Sequence, residues 1–163
     1  MTPDVFLGLG SNINDRLKYL ETAASLIGSC SNIQTVCVSS VYETEPWGVK
    51  EQNKFLNMVL KVNSHFTPDE LMVFVKDIEM KAGRKVRKKW FEREIDIDIL
   101  FFGNKVLEND ILSIPHKEVQ NRRFVLVPMC EISESFVHPV LNKTMSELLE
   151  LTKDISEVSI YKI

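Results

Sequence analysis

Residues 93–103, REIDIDILFFG, constrain this chain more than any other stretch. Glu94, Asp96 and Asp98 alternate with Ile95, Ile97 and Ile99, a period of two that an extended strand sorts into one polar and one apolar face. The isoleucines predict a strand seated on a buried sheet. On its other face Asp96 and Asp98 have Cα atoms roughly 6.7 Å apart. Their carboxylates repel by under about 1 kcal/mol in water, but on the order of 3 kcal/mol at an effective dielectric of ~20. Two explanations stay open at this point: a solvated strand face, or a divalent cation lying between the carboxylates and cancelling the repulsion. Glu94 reads as a solvated neighbour without a role.

The segments before this strand place it in a series. Residues 5–12, VFLGLGSN, give a first strand; Leu17, Leu20, Ala23, Ala24 and Ile27 then recur at helical spacing, with Asn12 or Asn14 as cap and Gly28 as stop. Residues 35–44 and 55–63 read as two further strands, joined by residues 45–54, a connection too long for a tight hairpin and of the kind that carries function. The clearest helix follows. Thr67 is its N-cap, Pro68 its first position, Glu70 closes a capping box, and Leu71, Phe74, Val75, Ile78 and Ala82 form the apolar stripe before Gly83. After the acidic strand come a short strand, a loop through Pro115 and His116, a helix, and a last amphipathic helix over residues 144–154. The order strand, helix, strand, strand, helix, strand predicts an α+β fold: a ferredoxin-like antiparallel sheet with a βαββαβ core, plus C-terminal helices.

With 163 residues the chain suits one domain over its whole length. No basic leader and no apolar run near the ~20 residues of a membrane span is visible, so a cytoplasmic protein is expected. Cys30, Cys37 and Cys130 are odd in number and lack Cys-x-x-Cys spacing, which suits reduced thiols. The net charge of −3 hides an uneven distribution: between residues 81 and 93 there are seven basic residues and a single acid, Glu92. Positive charge confined to one segment of an acidic chain suits a local anionic ligand such as a nucleotide triphosphate, whereas a nucleic-acid protein is basic over a wider face.

Nucleotide fingerprints are absent. Gly8-Leu9-Gly10 lacks the third glycine of a dinucleotide-binding turn, and there is no Gly-x-x-x-x-Gly-Lys-Ser/Thr loop. Magnesium fits the aspartate pair, because it takes one or two carboxylates and completes its shell with substrate phosphates and water. Zinc fits less well, since His65, His116 and His138 are scattered. Trp47 and Trp90 lie in polar loop sequence, where a flat heterocyclic ligand explains them better than a core does.

The ordered segments GLGSN (8–12), SSVYETEPWG (39–48), FLN (55–57), GRKVRKKW (83–90), REIDIDILFFG (93–103), IPH (114–116) and NRRFVLVP (121–128) together resemble the 6-hydroxymethyl-7,8-dihydropterin pyrophosphokinases. These folate-pathway enzymes move pyrophosphate from ATP to the hydroxymethyl group of a pterin and release AMP. The resemblance implies that Asp96 and Asp98 hold two magnesium ions and that Arg84 and Arg93 assist the transfer. It places His116 and Arg122 on the ATP phosphates, with Ile99 and Ser113 near adenine and ribose. The pterin would stack between Phe55 and Phe124, be read by Asn57 and the backbone near Thr44 and Trp47, and be covered by Trp90. A monomer acting on small molecules, with no nucleic-acid or membrane partner, is implied as well. The chain departs from the family at Phe91-Glu92, where members usually have Gly-Pro, and at Lys117, where some have an aromatic residue. Two rival readings remain: an RNA-binding module that uses the basic Trp-Phe loop, and an ordinary kinase that releases ADP.

Overall fold

A computed structural model describes residues 2–46, 51–88 and 92–163. Chain order is β1 (Asp4–Ser11), α1 (Arg16–Gly28), β2 (Ile33–Val38), β3 (Tyr42–Thr44), β4 (Phe55–Ser64), α2 (Pro68–Ala82), β5 (Asp96–Phe102), β6 (Leu107–Glu108), β7 (Ser113–Ile114), α3 (Arg123–Ser133), α4 (Met145–Leu151) and β8 (Val158–Ile160). The main sheet runs β5-β1-β4-β3-β8, with β2 pairing farther along β4, and these pairings are antiparallel. The expected ferredoxin-like order is present, with β2 and β3 sharing one lane beside β4.

That shared lane was expected as one strand over residues 35–44. It breaks at Ser39, whose N–H donates to the Val59 carbonyl at 2.9 Å and whose Oγ accepts the Val59 N–H at 2.9 Å. A side-chain oxygen thus replaces one rung of the ladder, and pairing resumes at Tyr42. The capping box on α2 is as expected, with Thr67 and Glu70 bonded reciprocally and Gly83 at φ 111°. For α1 the cap is Asp15, whose carboxylate accepts the Lys18 N–H, and not Asn12 or Asn14. Asn12 is drawn into the interior instead. The last helix stops at Leu151, because Thr152 is already extended, and residues beyond it add β8, which the sequence did not signal.

The two faces of the sheet are covered unequally. On one, Val5, Leu7, Leu9, Leu56, Leu60, Ile97 and Ile99 pack against α1 and α2 through Leu20, Ile27, Leu71 and Val75. On the other, Phe6, Val59, Leu100 and Phe101 meet Leu126 and Met129 of α3 and Met145 and Leu148 of α4. This second core covers only part of its face. Where it ends, Gly8 lies opposite Asp98 and Gly10 opposite Asp96, and the sheet surface is open.

Candidate active site

The uncovered sheet face is the floor of a cavity of about 240 Å³, lined by Gly8, Gly10, Thr44, Phe55, Asn57, Arg93, Asp96, Asp98, His116, Arg122 and Phe124 among others. Gly10 is required there by space. A Cβ at this position would stand 2.9 Å from Asn57 Oδ1, so a side chain would displace the amide. The Asn57 Nδ2 donates to Thr44 Oγ1 at 2.8 Å, which fixes the amide orientation and leaves Oδ1 over Gly10 as an acceptor inside the cavity. Phe55 and Phe124 line the cavity as well, and the Arg122 guanidinium lies over the Phe124 ring, 5.7 Å from its centre.

The rest of the lining carries the charge. Asp98, on the strand floor beside Asp96, is pushed up to about 7, first by burial and then by the Asp96 charge, against the opposing pull of Arg122 and Lys76. His116 Nε2 stands 3.9 Å from Asp98 Oδ2. Burial, reinforced by Arg122, lowers His116 to about 4, so the ring is neutral at pH 7. Its Nδ1 accepts the Glu118 N–H at 3.1 Å, which leaves the ring proton on Nε2, facing Asp98 and the cavity. The His116 N–H bonds the Leu100 carbonyl at 2.9 Å and so ties this loop to β5.

Arg84 reaches the same floor from the end of α2, 3.3 Å from Asp96 Oδ1 and ion-paired with Glu79. Glu79 is nearly fully buried, also pairs with Lys76, and accepts the Ile97 N–H at 2.9 Å. Burial raises its pKa, an effect the Asp96 charge adds to and Lys76, the Ile97 N–H and Arg84 oppose. Sequence reasoning missed Glu79, although its spacing from Leu71 and Val75 puts it on the buried stripe of α2. Asn12 was missed too. Its Oδ1 accepts the Arg93 N–H at 2.7 Å, its own N–H donates to the Arg93 carbonyl at 3.0 Å, and its Nδ2 donates to Gln52 at 2.8 Å. It thereby joins the ends of both long loops to β1.

Glu94 corrects an expectation. It is not solvated: it is 1% exposed, ion-paired with Arg87, and accepts the Lys85 N–H at 3.3 Å. The alternation fails at its first member because β5 begins only at Asp96, and Glu94 turns to the basic segment instead. Burial raises its pKa, but the hydrogen bonds from Arg87 and backbone N–H groups outweigh that and hold it below the usual carboxylate range.

Of the residues expected at the site, Thr44, Phe55, Asn57, Arg93, Asp96, Asp98, His116, Arg122 and Phe124 line one cavity, with Arg84 in contact with Asp96. Two others do not line it. Ile99 points its side chain into the α1/α2 core at 2% exposure, because its parity on β5 is opposite to that of the aspartates. Ser113 sits on β7, paired with Glu108. Trp47 and Trp90 lie outside the described residues. Among the described residues no group of three or more His, Cys, Asp or Glu is placed to hold a metal ion, and no helix is long and apolar enough to cross a membrane.

The family model for 7,8-dihydro-6-hydroxymethylpterin-pyrophosphokinase (HPPK) matches residues 6–134. The 2-amino-4-hydroxy-6-hydroxymethyldihydropteridine pyrophosphokinase of Aquifex aeolicus is 40% identical over 88% of this chain and 88% of its own. The enzyme of the same name from Haemophilus influenzae is 34% identical over 97% and 96%. A crystal structure of wild-type Plasmodium falciparum HPPK-DHPS with pteroate superposes on 92% of this chain with a TM-score of 0.75 at 16% identity. The present chain spans 44% of that longer one, and the likeness to it is one of fold. The family match and the two full-length relatives carry the assignment: the chain belongs to the 7,8-dihydro-6-hydroxymethylpterin-pyrophosphokinase family and is a pyrophosphokinase.

Proposed function

We propose that the chain transfers pyrophosphate from ATP to the hydroxymethyl group of 6-hydroxymethyl-7,8-dihydropterin and releases AMP. It acts as one domain over residues 1–163, as a cytoplasmic monomer working on small molecules without nucleic-acid or membrane partners. The observation that carries this reading is the union, in one cavity, of an aromatic end with an oriented amide and an ionic end with two carboxylates and arginines. An RNA module would leave the aspartate pair on the cavity floor without a purpose.

The carboxylates fit magnesium. Two acids share one strand face opposite glycines, and the Asp96 charge adds to burial in raising Asp98, against the pull of Arg122 and Lys76. No third protein ligand joins them among the described residues, as suits an ion whose shell is finished by phosphates and water. Asp96 and Asp98 would hold two such ions, which when bound supply neutralisation of phosphate charge and a more acidic hydroxyl.

The remaining work belongs to the chain. Phe55 and Phe124 sandwich the flat ring, and Asn57 Oδ1 accepts a ring N–H, its direction fixed by Thr44. Neutral His116 donates from Nε2 to a phosphate oxygen, and Arg122 adds charge beside it. Arg84 and Arg93 stabilise the charge spread over the phosphoryl oxygens during in-line attack on the β-phosphorus. Ile99, with its side chain in the core, offers only backbone to the adenine. Incubation with Mg-ATP and the pterin, followed by identification of the nucleotide product, tests the reading. AMP is expected. ADP would establish a simple kinase, and absence of turnover with tight RNA binding would establish the module.

A further inference from the structure

The family match ends at residue 134, yet residues 152–161 touch both walls of the aromatic end of the cavity. β8 pairs with β3 residue for residue, Thr44 opposite Val158 and Tyr42 opposite Ile160, and the Tyr161 N–H bonds the Val41 carbonyl at 2.8 Å. This extends the sheet behind Thr44, the residue that orients Asn57. On the other wall, α3 starts at Arg123 with Arg122 as its N-cap and no side-chain cap from that residue. Asp154, distant in sequence, supplies an acceptor: its Oδ2 takes the Arg123 N–H at 2.8 Å. A carboxylate at a helix N-terminus satisfies an orphan donor and meets the positive end of the dipole. Asp154 is itself held by the Ser156 N–H at 3.0 Å and the Ser156 hydroxyl. Burial would raise its pKa, but those bonds and the Arg123 N–H together lower it, so it is a carboxylate at neutral pH.

We propose that this segment is a strap that sets the gap between Phe55 and Phe124, with Asp154 as a positioning residue for pterin binding. It holds the first turn of α3, which carries Phe124, at a fixed distance from the β3–β4 wall, which carries Phe55, Asn57 and Thr44. A flat ring between two aromatic faces depends steeply on that spacing. The inference rests on the reading that Phe55 and Phe124 hold the pterin.

The test compares Asp154→Ala, Asp154→Asn and Phe124→Ala in the full chain, measuring KM for the pterin, kcat, and thermal unfolding. Asp154→Ala is expected to raise the pterin KM roughly tenfold with a much smaller change in kcat, as a small misplacement of a contact wall would. Asp154→Asn keeps an oxygen acceptor and should restore most of the affinity. A lower melting temperature with unchanged pterin KM in Asp154→Ala would reduce the strap to a structural cap and overturn the proposal. Phe124→Ala separates the two levels. If it leaves pterin affinity intact, the assignment of the aromatic end fails; if it weakens binding while Asp154→Ala does not, only the strap fails. Should Asp154→Ala not fold, Tyr161→Pro removes the bond to Val41 from the other side and must reproduce the KM effect for the proposal to stand.

Discussion

Four carboxylates gather near the root of β5, and they fall into two pairs. Glu79 and Glu94 are almost wholly buried, and each has an arginine: Arg84 for the first, Arg87 for the second. Asp96 and Asp98, on the cavity floor, retain 38% and 36% side-chain exposure. They share the edge of Arg84 and a neutral imidazole, and Asp98 is driven toward neutrality. The first pair has its cations within the chain, although burial still holds Glu79 above the usual carboxylate range; the second has Arg84 only at its edge. A buried acid with its own cation builds structure, whereas one left under-compensated in a cavity is prepared for a ligand that brings the cation.

The largest effect that would break this contrast is on turnover. On the proposed metal role, Asp98→Asn should lower kcat/KM at least about a thousandfold, since several kcal/mol of charge stabilisation would go with the ion, while leaving metal-free stability unchanged or higher. A steady-state assay beside a melting curve checks both halves, and near-normal activity would end the metal assignment. Next in size is Glu79→Ala. It leaves the Ile97 N–H without its acceptor and Arg84 with Asp96 alone, and should cost about 3 kcal/mol in urea unfolding. A loss below about 1 kcal/mol would mean that water serves equally well.

The smallest effect is a pH trend. The Asp98 pKa is raised from 3.8 to about 7 in the fold, so between those values the folded chain keeps a proton that the unfolded chain has released, and stability falls as pH rises through the window. His116, lowered from 6.5 to about 4, works in the opposite sense: the folded ring is neutral where the unfolded one is charged, and stability rises with pH over that range. Asp98→Asn isolates the first contribution. Its metal-free melting temperature should gain on that of the unaltered chain as pH goes from about 5 to about 8, and saturating magnesium should erase the difference. A constant gap would place the proton elsewhere.

Local signals in the sequence were reliable where a single element decided the outcome. Thr67, Pro68, Glu70 and Gly83 bounded α2 because capping is a contest among neighbouring groups. Period two along Ile97 and Ile99 fixed β5 and the side on which the aspartates stand. The same logic misled at Glu94, since alternation describes a strand and Glu94 lies just before one. Asn12 read as a helix cap by its type, yet its bonds go to Arg93 and Gln52 on distant loops.

The sequence by itself determined that an antiparallel α+β sheet would carry two aspartates on one strand face, and the family resemblance named basic, aromatic and amide residues most of which line one cavity with them. Only the tertiary structure decided that α3 and α4 cover part of that face, which leaves glycines 8 and 10 as a cavity floor. It alone turned residues 152–161 back across both walls. The physical reason is range. Periodicity and capping are settled within a few residues of chain, whereas a cavity is defined by what distant elements leave uncovered, and no local pattern encodes that.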